Sequence, residues 1–502
     1  MPITLFPEQV KDLELLRKHK YYALWHEVGS GKTFPLIFRM LEGLEKEPHR
    51  MWIVVMEVHL LDQWKDEIAL ALDGREFQPT VSILTGDDPK WKREHTFIRP
   101  PNILLINYEF FPKVDFQITL MAKEGRVGGI ICDEAHRLKG FRGFRSKRGG
   151  RAQSIVSAAH ANLGIETDIC RYMASGSPVV NPNSVDLWGL YYFLNPSIFG
   201  NVLWKFENEF FYNAAPPGIP FKKLVLRPEM REEMSRRMYL CARRLLKEET
   251  GLEFPEVRPI VYKVDMPPDL EKAYNQMRED CFLFHDGVEV TRLVLLARLM
   301  ALAQLSSGFI LENIQQDFNP TLLLDPAGDT GERVPIHINS SHKDNCMWSI
   351  IDEVGREKSM VIWAHFRHEL EHVANMLESE GMRVARVWGD EGRADKRQAI
   401  ADFKAGKRTH MVAQPASAGA GLNLQIAGYS LRYSRSHRLL DFIQSNGRIN
   451  RATSVQYHKY VTYFEIVARH TYDEYIYNNL KGKFDLSSLI TLDAFKEMRL
   501  AS

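Results

Sequence analysis

Apolar and polar positions alternate along this chain in two distinct rhythms. Short runs apolar at nearly every position, such as MWIVVM (51–56), ILLINY (103–108) and GGIICD (128–133), have the length and composition of strands buried on both faces. The stretch HLLDQWKDEIALAL (59–72) is instead apolar at every third or fourth position, which predicts an amphipathic helix. YYALW (21–25), VSIL (81–84) and the segment around Arg171–Ala174 add strands, and TFPLIFRMLEGL (33–44) adds a helix. The rhythm breaks between Met230 and Glu253, which reads as helical and highly charged. VRPIVYKVDMPPD (257–269) follows as a proline-marked strand and turn. Alternation then resumes, with strands in SMVIWAHF (359–366), RVARVWG (383–389), HMVAQ (410–414), YSLRYS (429–434) and YHKYVTYFEIV (457–467). RHELEHVANMLESEG (367–381) and RADKRQAIADFKAG (393–406) are the helices between them. Residues 313–342 are polar and rich in turn formers, and read as an insertion or long loop.

Strands alternating with helices predict parallel sheets with crossover connections. The fold class expected is α/β, with two parallel-sheet domains in tandem and a helical connecting segment. The boundaries are 1–229, a connector 230–269, a second domain 270–490 carrying the insertion, and a tail 491–502. No tandem repeat or low-complexity tract interrupts this plan.

Composition changes the picture little. The 502 residues are 45% hydrophobic and 26% charged, as in a water-soluble globular protein, and the net charge is +1. A nucleic-acid partner would therefore have to be met by a local groove, since the chain as a whole is not basic. The five cysteines are dispersed, without CxxC spacing, which fits a reducing compartment. The N-terminus MPITLFPEQ lacks the pattern of a signal peptide, and the apolar stretch Leu293–Leu305 is too short to span a bilayer. A cytoplasmic location is expected.

Chemistry enters at HEVGSGKT (26–33), between a strand and a helix. A glycine-rich turn there lets Gly29, Ser30 and Gly31 present backbone N–H groups to phosphate oxygens, with the helix N-terminus adding a favourable dipole. Lys32 would reach the terminal phosphates of ATP and the Thr33 hydroxyl would hold Mg²⁺. The simple phosphate-loop pattern asks for glycine where this chain has His26. At IICDEAHRLKG (130–140) a buried strand ends in two acids. Asp133 would hold the Mg²⁺, and Glu134 would orient and deprotonate a water.

DEAH downstream of HEVGSGKT resembles superfamily-two helicases, and more narrowly their Swi/Snf-type branch, where an acidic residue commonly replaces the first phosphate-loop glycine. LFPEQ (5–9) resembles the element before the loop, which implies that Gln9 contacts adenine. VVMEVHLLDQWKDEI (54–68) and INYE (106–109) resemble the next two motifs, although Glu57 stands where the family usually has proline. SGSPVVN (175–181) resembles the coupling motif, implying that His136, Ser175, Gly176 and Ser177 link nucleotide state to the nucleic-acid groove. In the second half, ASAGAGLNLQIA (416–427) resembles the motif in which Gly421 lies by the nucleotide. QSNGRINRATS (444–454) resembles the arginine-finger motif, implying catalytic roles for Gln444, Arg448 and Arg451, the two arginines on one helix face. Thr453 and Ser454 depart from the Gly-Gln pair usual there. The resemblance covers most of residues 5–485 and implies two RecA-like domains that use ATP and Mg²⁺ to move along DNA. The small size is similar to that of phage or prophage members, and so points to a bacterial or phage-infected host cytoplasm.

FRGFRSKRGGR (141–151) sets Arg142, Arg145, Lys147, Arg148 and Arg151 among glycines, as a loop meeting a DNA backbone without reading sequence would. Trp64, Trp91 and Trp188 could stack on bases, but a place in the core is expected for each. Duplex DNA is the expected track. A strand-separating DNA or RNA helicase and a non-hydrolysing nucleic-acid scaffold are the alternatives.

Overall fold

The structure, a computed structural model, describes residues 3–143, 150–161, 169–176, 185–214, 224–282, 292–313, 333–389, 392–415, 418 and 422–482. They group into two compact units, with the main division between Leu252 and Glu253.

The first unit is built on a seven-stranded sheet. Its strands are β1 (Tyr21–Leu24), β2 (Met51–Met56), β3 (Val81–Leu84), β4 (Ile103–Asn107), β5 (Val127–Asp133) and β6 (Cys170–Ala174). A small antiparallel pair follows, β7 (Phe211–Asn213) with β8 (Leu224–Leu226). The last strand of the large sheet is β9 (Ala242–Arg243). The order is β3-β4-β2-β5-β6-β1-β9, and every pairing in it is parallel. The unbroken apolar runs fit because helices cover both faces of such sheets: β2, β4 and β6 are buried at every residue. Of the helices, α1 (Pro7–Lys18), α2 (Thr33–Lys46) and α3 (Leu61–Leu72) matter for the site. The segment expected as a helical connector contains the helix Arg231–Met238 and then supplies strand β9 to the first sheet.

The second unit has a six-stranded sheet of order β10-β17-β16-β13-β15-β14, again wholly parallel. Here β10 is Glu256–Val264, β13 Met360–Trp363, β14 Val384–Val387, β15 His410–Ala413, β16 Tyr429–Arg432 and β17 Tyr460–Ala468. The proline-marked 257–269 stretch thus opens with an edge strand. Strands β11 (Phe309–Asn313) and β12 (Arg333–His337) pair antiparallel at the two ends of the expected insertion, and a helix already begins at Ser341. Residues 314–332 lie outside the described residues. The fold class is the tandem pair of parallel α/β units expected from the apolar rhythm.

Two tryptophans behave as expected and one does not. Trp64 and Trp188 are buried in the first core, whereas Trp91 is 69% exposed. Its helix, Lys90–Ile98, is so polar that Thr96 is its one buried residue.

Beneath the carboxyl ends of the second sheet lies a charged core that the sequence reading missed. Arg432 and Glu465 are register partners on β16 and β17, and the Arg432 Nε donates to Glu465 at 3.0 Å. Arg435 donates to Asp473 at 2.6 Å and to the second Glu465 oxygen at 3.3 Å. Lys343, fully buried, sits 3.2 Å from Asp473. Removing one partner from such a set strands buried charge. Glu465→Ala should therefore destabilise the second unit by roughly 3–5 kcal/mol, read as a lower denaturation midpoint of the full chain.

Candidate active site

In the first sheet, strand register decides what meets at the carboxyl edge, where α/β folds bind their ligands. Asp133 pairs with Ala174, and Ala174 with Leu24. The residues following β5, β6 and β1 therefore leave the sheet side by side and at one level. These are Glu134, Ser175 and the loop that begins at Trp25.

The 26–33 loop turns on Gly29 (φ 91°) and Gly31 (φ 85°), left-handed conformations that glycine adopts without strain. At Gly31 a side chain is also excluded by space, since a Cβ would lie 2.6 Å from the Gln9 amide nitrogen. That amide donates to the Gly31 carbonyl at 2.8 Å, while its oxygen accepts the Phe6 N–H at 3.0 Å. Gln9, expected at adenine, thus grips the loop. The Lys32 ammonium rests on the carbonyls of His26 (3.1 Å) and Glu27 (3.3 Å), and Thr33 opens α2. Gly176 packs so closely on the loop that a Cβ there would approach Val28 to 2.5 Å.

On the other side of the loop, β9 continues as a ladder. Trp25 N–H donates to the Arg243 carbonyl at 2.8 Å, and Glu27 N–H to that of Leu245 at 2.9 Å. The unorthodox His26 side chain turns inward, its Nε2 2.8 Å from Asp12 Oδ2, both residues buried. Burial holds the His26 pKa below its ordinary value.

The acid pair is sharply differentiated. Asp133 receives the Trp64 indole N–H at 2.8 Å on one oxygen and the Glu134 backbone N–H at 2.9 Å on the other. Its carbonyl accepts the Tyr108 hydroxyl at 2.8 Å. Burial first, and Glu134 beside it second, push the Asp133 pKa up to about 6, with the Trp64 bond and the Lys32 charge opposing. Glu134 adopts the left-handed region (φ 49°, ψ 50°), a costly backbone for a non-glycine residue. That turn aims its carboxylate back across the sheet edge, where it accepts the Ser175 hydroxyl at 3.3 Å and lies 3.3 Å from His136 Nδ1. A carboxylate and a hydroxyl are hard oxygen donors of the kind Mg²⁺ takes, and such an ion is typically shared with substrate phosphates. Asp133 and Thr33 fit that set; the cation would favour the ionised Asp133.

In the second unit, Gln444 lies on the helix Leu439–Asn446, buried. The shared helical face expected for Arg448 and Arg451 is not formed, because the helix stops at Asn446 and Gly447 caps it. The Ser445 hydroxyl bonds back to the Asp441 and Phe442 carbonyls, and Arg432 holds the Asn446 side chain at 2.7 Å. Arg448 follows in the turn, 2% exposed, and its carbonyl accepts the Leu424 N–H at 3.1 Å. Arg451 is extended (φ −131°, ψ 158°) and half-buried. Ser454, one of the departures from the family pattern, is fully buried; its hydroxyl donates to the Ile449 carbonyl at 2.7 Å and accepts the Arg451 N–H at 3.3 Å. Gly421 and Ser177 lie outside the described residues.

Of the basic segment, Arg142 and Arg151 are described. Arg142 pairs with Asp186 at 2.7 Å and Arg151 with Glu109 at 3.0 Å. Arg145, Lys147 and Arg148 lie outside the described residues. Sequence reasoning missed Trp64 and Tyr108 as supports of Asp133, and the link from Glu57 to Arg137 at 2.6 Å. Tryptophan three positions into a helix after a buried strand gave no signal of a carboxylate partner 69 residues away. Among the described residues, no helix is long and apolar enough to cross a membrane.

With this geometry in view, comparison with known proteins is specific. The SNF2-related domain matches residues 15–307, more than half of the chain, and the helicase conserved C-terminal domain matches residues 342–453. Protein p41 of Acyrthosiphon pisum secondary endosymbiont phage 1 is 24% identical over 487 residues, 94% of each chain. An uncharacterized ATP-dependent helicase of Mycoplasma pneumoniae is 22% identical over 93% of this chain but only 40% of its own length. For the SWI/SNF chromatin-remodeling complex subunit snf22 of Schizosaccharomyces pombe the figures are 22%, 97% and 28%. The chain thus spans the phage protein nearly end to end and well under half of the other two. Among solved structures, the Sulfolobus solfataricus SWI2/SNF2 ATPase core in complex with dsDNA is similar, with 19% identity over 99% of this chain and 95% of that one and a TM-score of 0.40.

Proposed function

The chain belongs to the SNF2-related family, and from that premise we propose that it is a DNA-dependent ATPase that couples ATP hydrolysis to movement along duplex DNA. The observation that carries this reading is the side-by-side exit of the 26–33 loop, Glu134 and Ser175 from three neighbouring strands. Gly29, Ser30 and Gly31 cradle the phosphates, and Lys32 leaves its carbonyl partners for the terminal phosphate. Thr33 and Asp133 would hold Mg²⁺, which would supply charge neutralisation at the phosphate oxygens. Glu134 takes the proton of the attacking water, and its bond to Ser175 passes the resulting loss of charge to Ser175 and Gly176. Gln444, Arg448 and Arg451 are the proposed catalytic residues of the second unit, the arginines because guanidinium stays charged and can contact phosphoryl oxygens with two donors.

Hydrolysis becomes motion when DNA binds the ATP-closed and open states with different affinity. Arg142, Arg145, Lys147, Arg148 and Arg151 are the proposed contacts to the DNA backbone. Dispersed thiols and the phage relative support a bacterial or phage-infected cytoplasm as its setting.

The discriminating experiment measures ATP turnover with duplex, single-stranded and branched DNA and with RNA, scoring strand displacement on the same substrates. Duplex DNA should stimulate turnover most, without displacement. Displacement with stimulation by single strands would replace translocation by strand separation, and nucleic-acid binding without any turnover would mark a scaffold.

A further inference from the structure

The residue that departs from the phosphate-loop pattern is fully buried and bonded to a carboxylate. Helix α1 holds the loop at both ends from one face: Gln9 takes the Gly31 carbonyl, and Asp12, three residues on, takes His26. Asp12 is in turn bound at 2.6 Å by Arg243 of β9, which also engages the Glu8 carboxylate and the Glu8 carbonyl. His26 and Asp12 are 0% and 1% exposed, and the far ring nitrogen, Nδ1, is buried without a hydrogen-bond partner among the described residues. The backbone of His26 itself carries one of the carbonyls on which Lys32 rests. Moving this ring therefore moves the surface from which the lysine is launched.

We propose that His26 and Asp12 form a positioning pair that sets the start of the loop for nucleotide binding. It takes over, by an imidazole–carboxylate contact, the place that a lone acid fills in the family pattern. The proposal rests on the reading of residues 26–33 as the ATP loop. It makes an unusual demand: restoring the family's acid must harm this chain. His26→Asp would set a second buried carboxylate against Asp12, with Arg243 already committed to Asp12 and Glu8.

The test is direct binding of a fluorescent ATP analogue to the full chain, with steady-state ATPase alongside and melting temperatures recorded without nucleotide. Coupling between touching buried groups spans roughly 2- to 150-fold in an equilibrium constant, and His26→Asp should weaken binding by about tenfold or more. KM for ATP should rise with kcat little changed, the mark of lost binding shared equally by the ground and transition states. Adding Asp12→Asn to His26→Asp leaves one carboxylate and one amide, and should recover most of the affinity. His26→Gln, which keeps an N–H of similar reach, should bind more tightly than His26→Leu. Wild-type affinity in His26→Asp, no recovery in the double variant, or equal affinity in the Gln and Leu variants would each overturn the pair. A wild-type chain that binds no nucleotide would instead overturn the ATPase reading itself.

Discussion

Replacing Arg451 with alanine should lower DNA-stimulated ATP turnover by roughly 10³–10⁵-fold, the usual worth of an arginine finger, while ATP binding remains measurable. The expectation follows from where the residue stands. It has left the helix that ends at Asn446 and runs extended, with its backbone N–H tied to Ser454 and Ser454 tied to Ile449. A side chain on such a pinned, non-helical segment starts from a fixed backbone. Lysine should not substitute, because a single ammonium cannot contact two phosphoryl oxygens at once in a fixed plane. Single-turnover hydrolysis with saturating DNA, set beside equilibrium nucleotide binding, separates the two effects. Wild-type turnover in Arg451→Ala would remove this residue from the chemistry.

The second large effect is expected at Glu134. Glu134→Gln keeps the shape and an oxygen able to accept the Ser175 hydroxyl, but it cannot take a proton. Turnover should fall by roughly 10²–10⁴-fold, the range for a general base, with ATP bound at least as tightly as in the wild type. Asp133→Asn should behave differently, losing Mg²⁺-dependent binding, since that carboxylate is already held by Trp64 and by the Glu134 N–H. Rapid-quench hydrolysis and Mg²⁺ titrations of nucleotide binding distinguish the two acids. Identical defects in both variants would mean that they do not divide the labour as their surroundings suggest.

These residues differ in how openly the sequence displays them. The strands were legible because burial on both faces leaves unbroken apolar runs, and MWIVVM became β2 residue for residue. The loop, the acid pair and the arginine motif were legible because each packs its chemistry into one short segment. What stayed hidden depends on pairs far apart in the chain. Trp64 meets Asp133, Arg243 meets Asp12, and Arg432 meets Glu465, contacts that no local periodicity encodes. The helical face assigned to Arg448 and Arg451 failed for a local reason, Gly447 and the back-bonding Ser445, which end the helix just before both arginines. Trp91 failed because hydrophobicity alone does not say whether a short polar helix has a neighbour to bury it against.

The ladder that flanks the 26–33 loop bears on how the protein is made. Strand β1 lies between β6 and β9, whose residues begin at 170 and 242. A nascent chain that has emerged through residue 150 already carries the loop, Lys32 and both acids, yet neither strand that sandwiches β1. Contacts this distant form late and slowly, so the early segment waits through most of the first unit's synthesis with its apolar strand unpaired on both sides. On the proposed reading, nucleotide capture should need the completed first unit, and the segment that announces it most loudly in the sequence should be among the last to become competent.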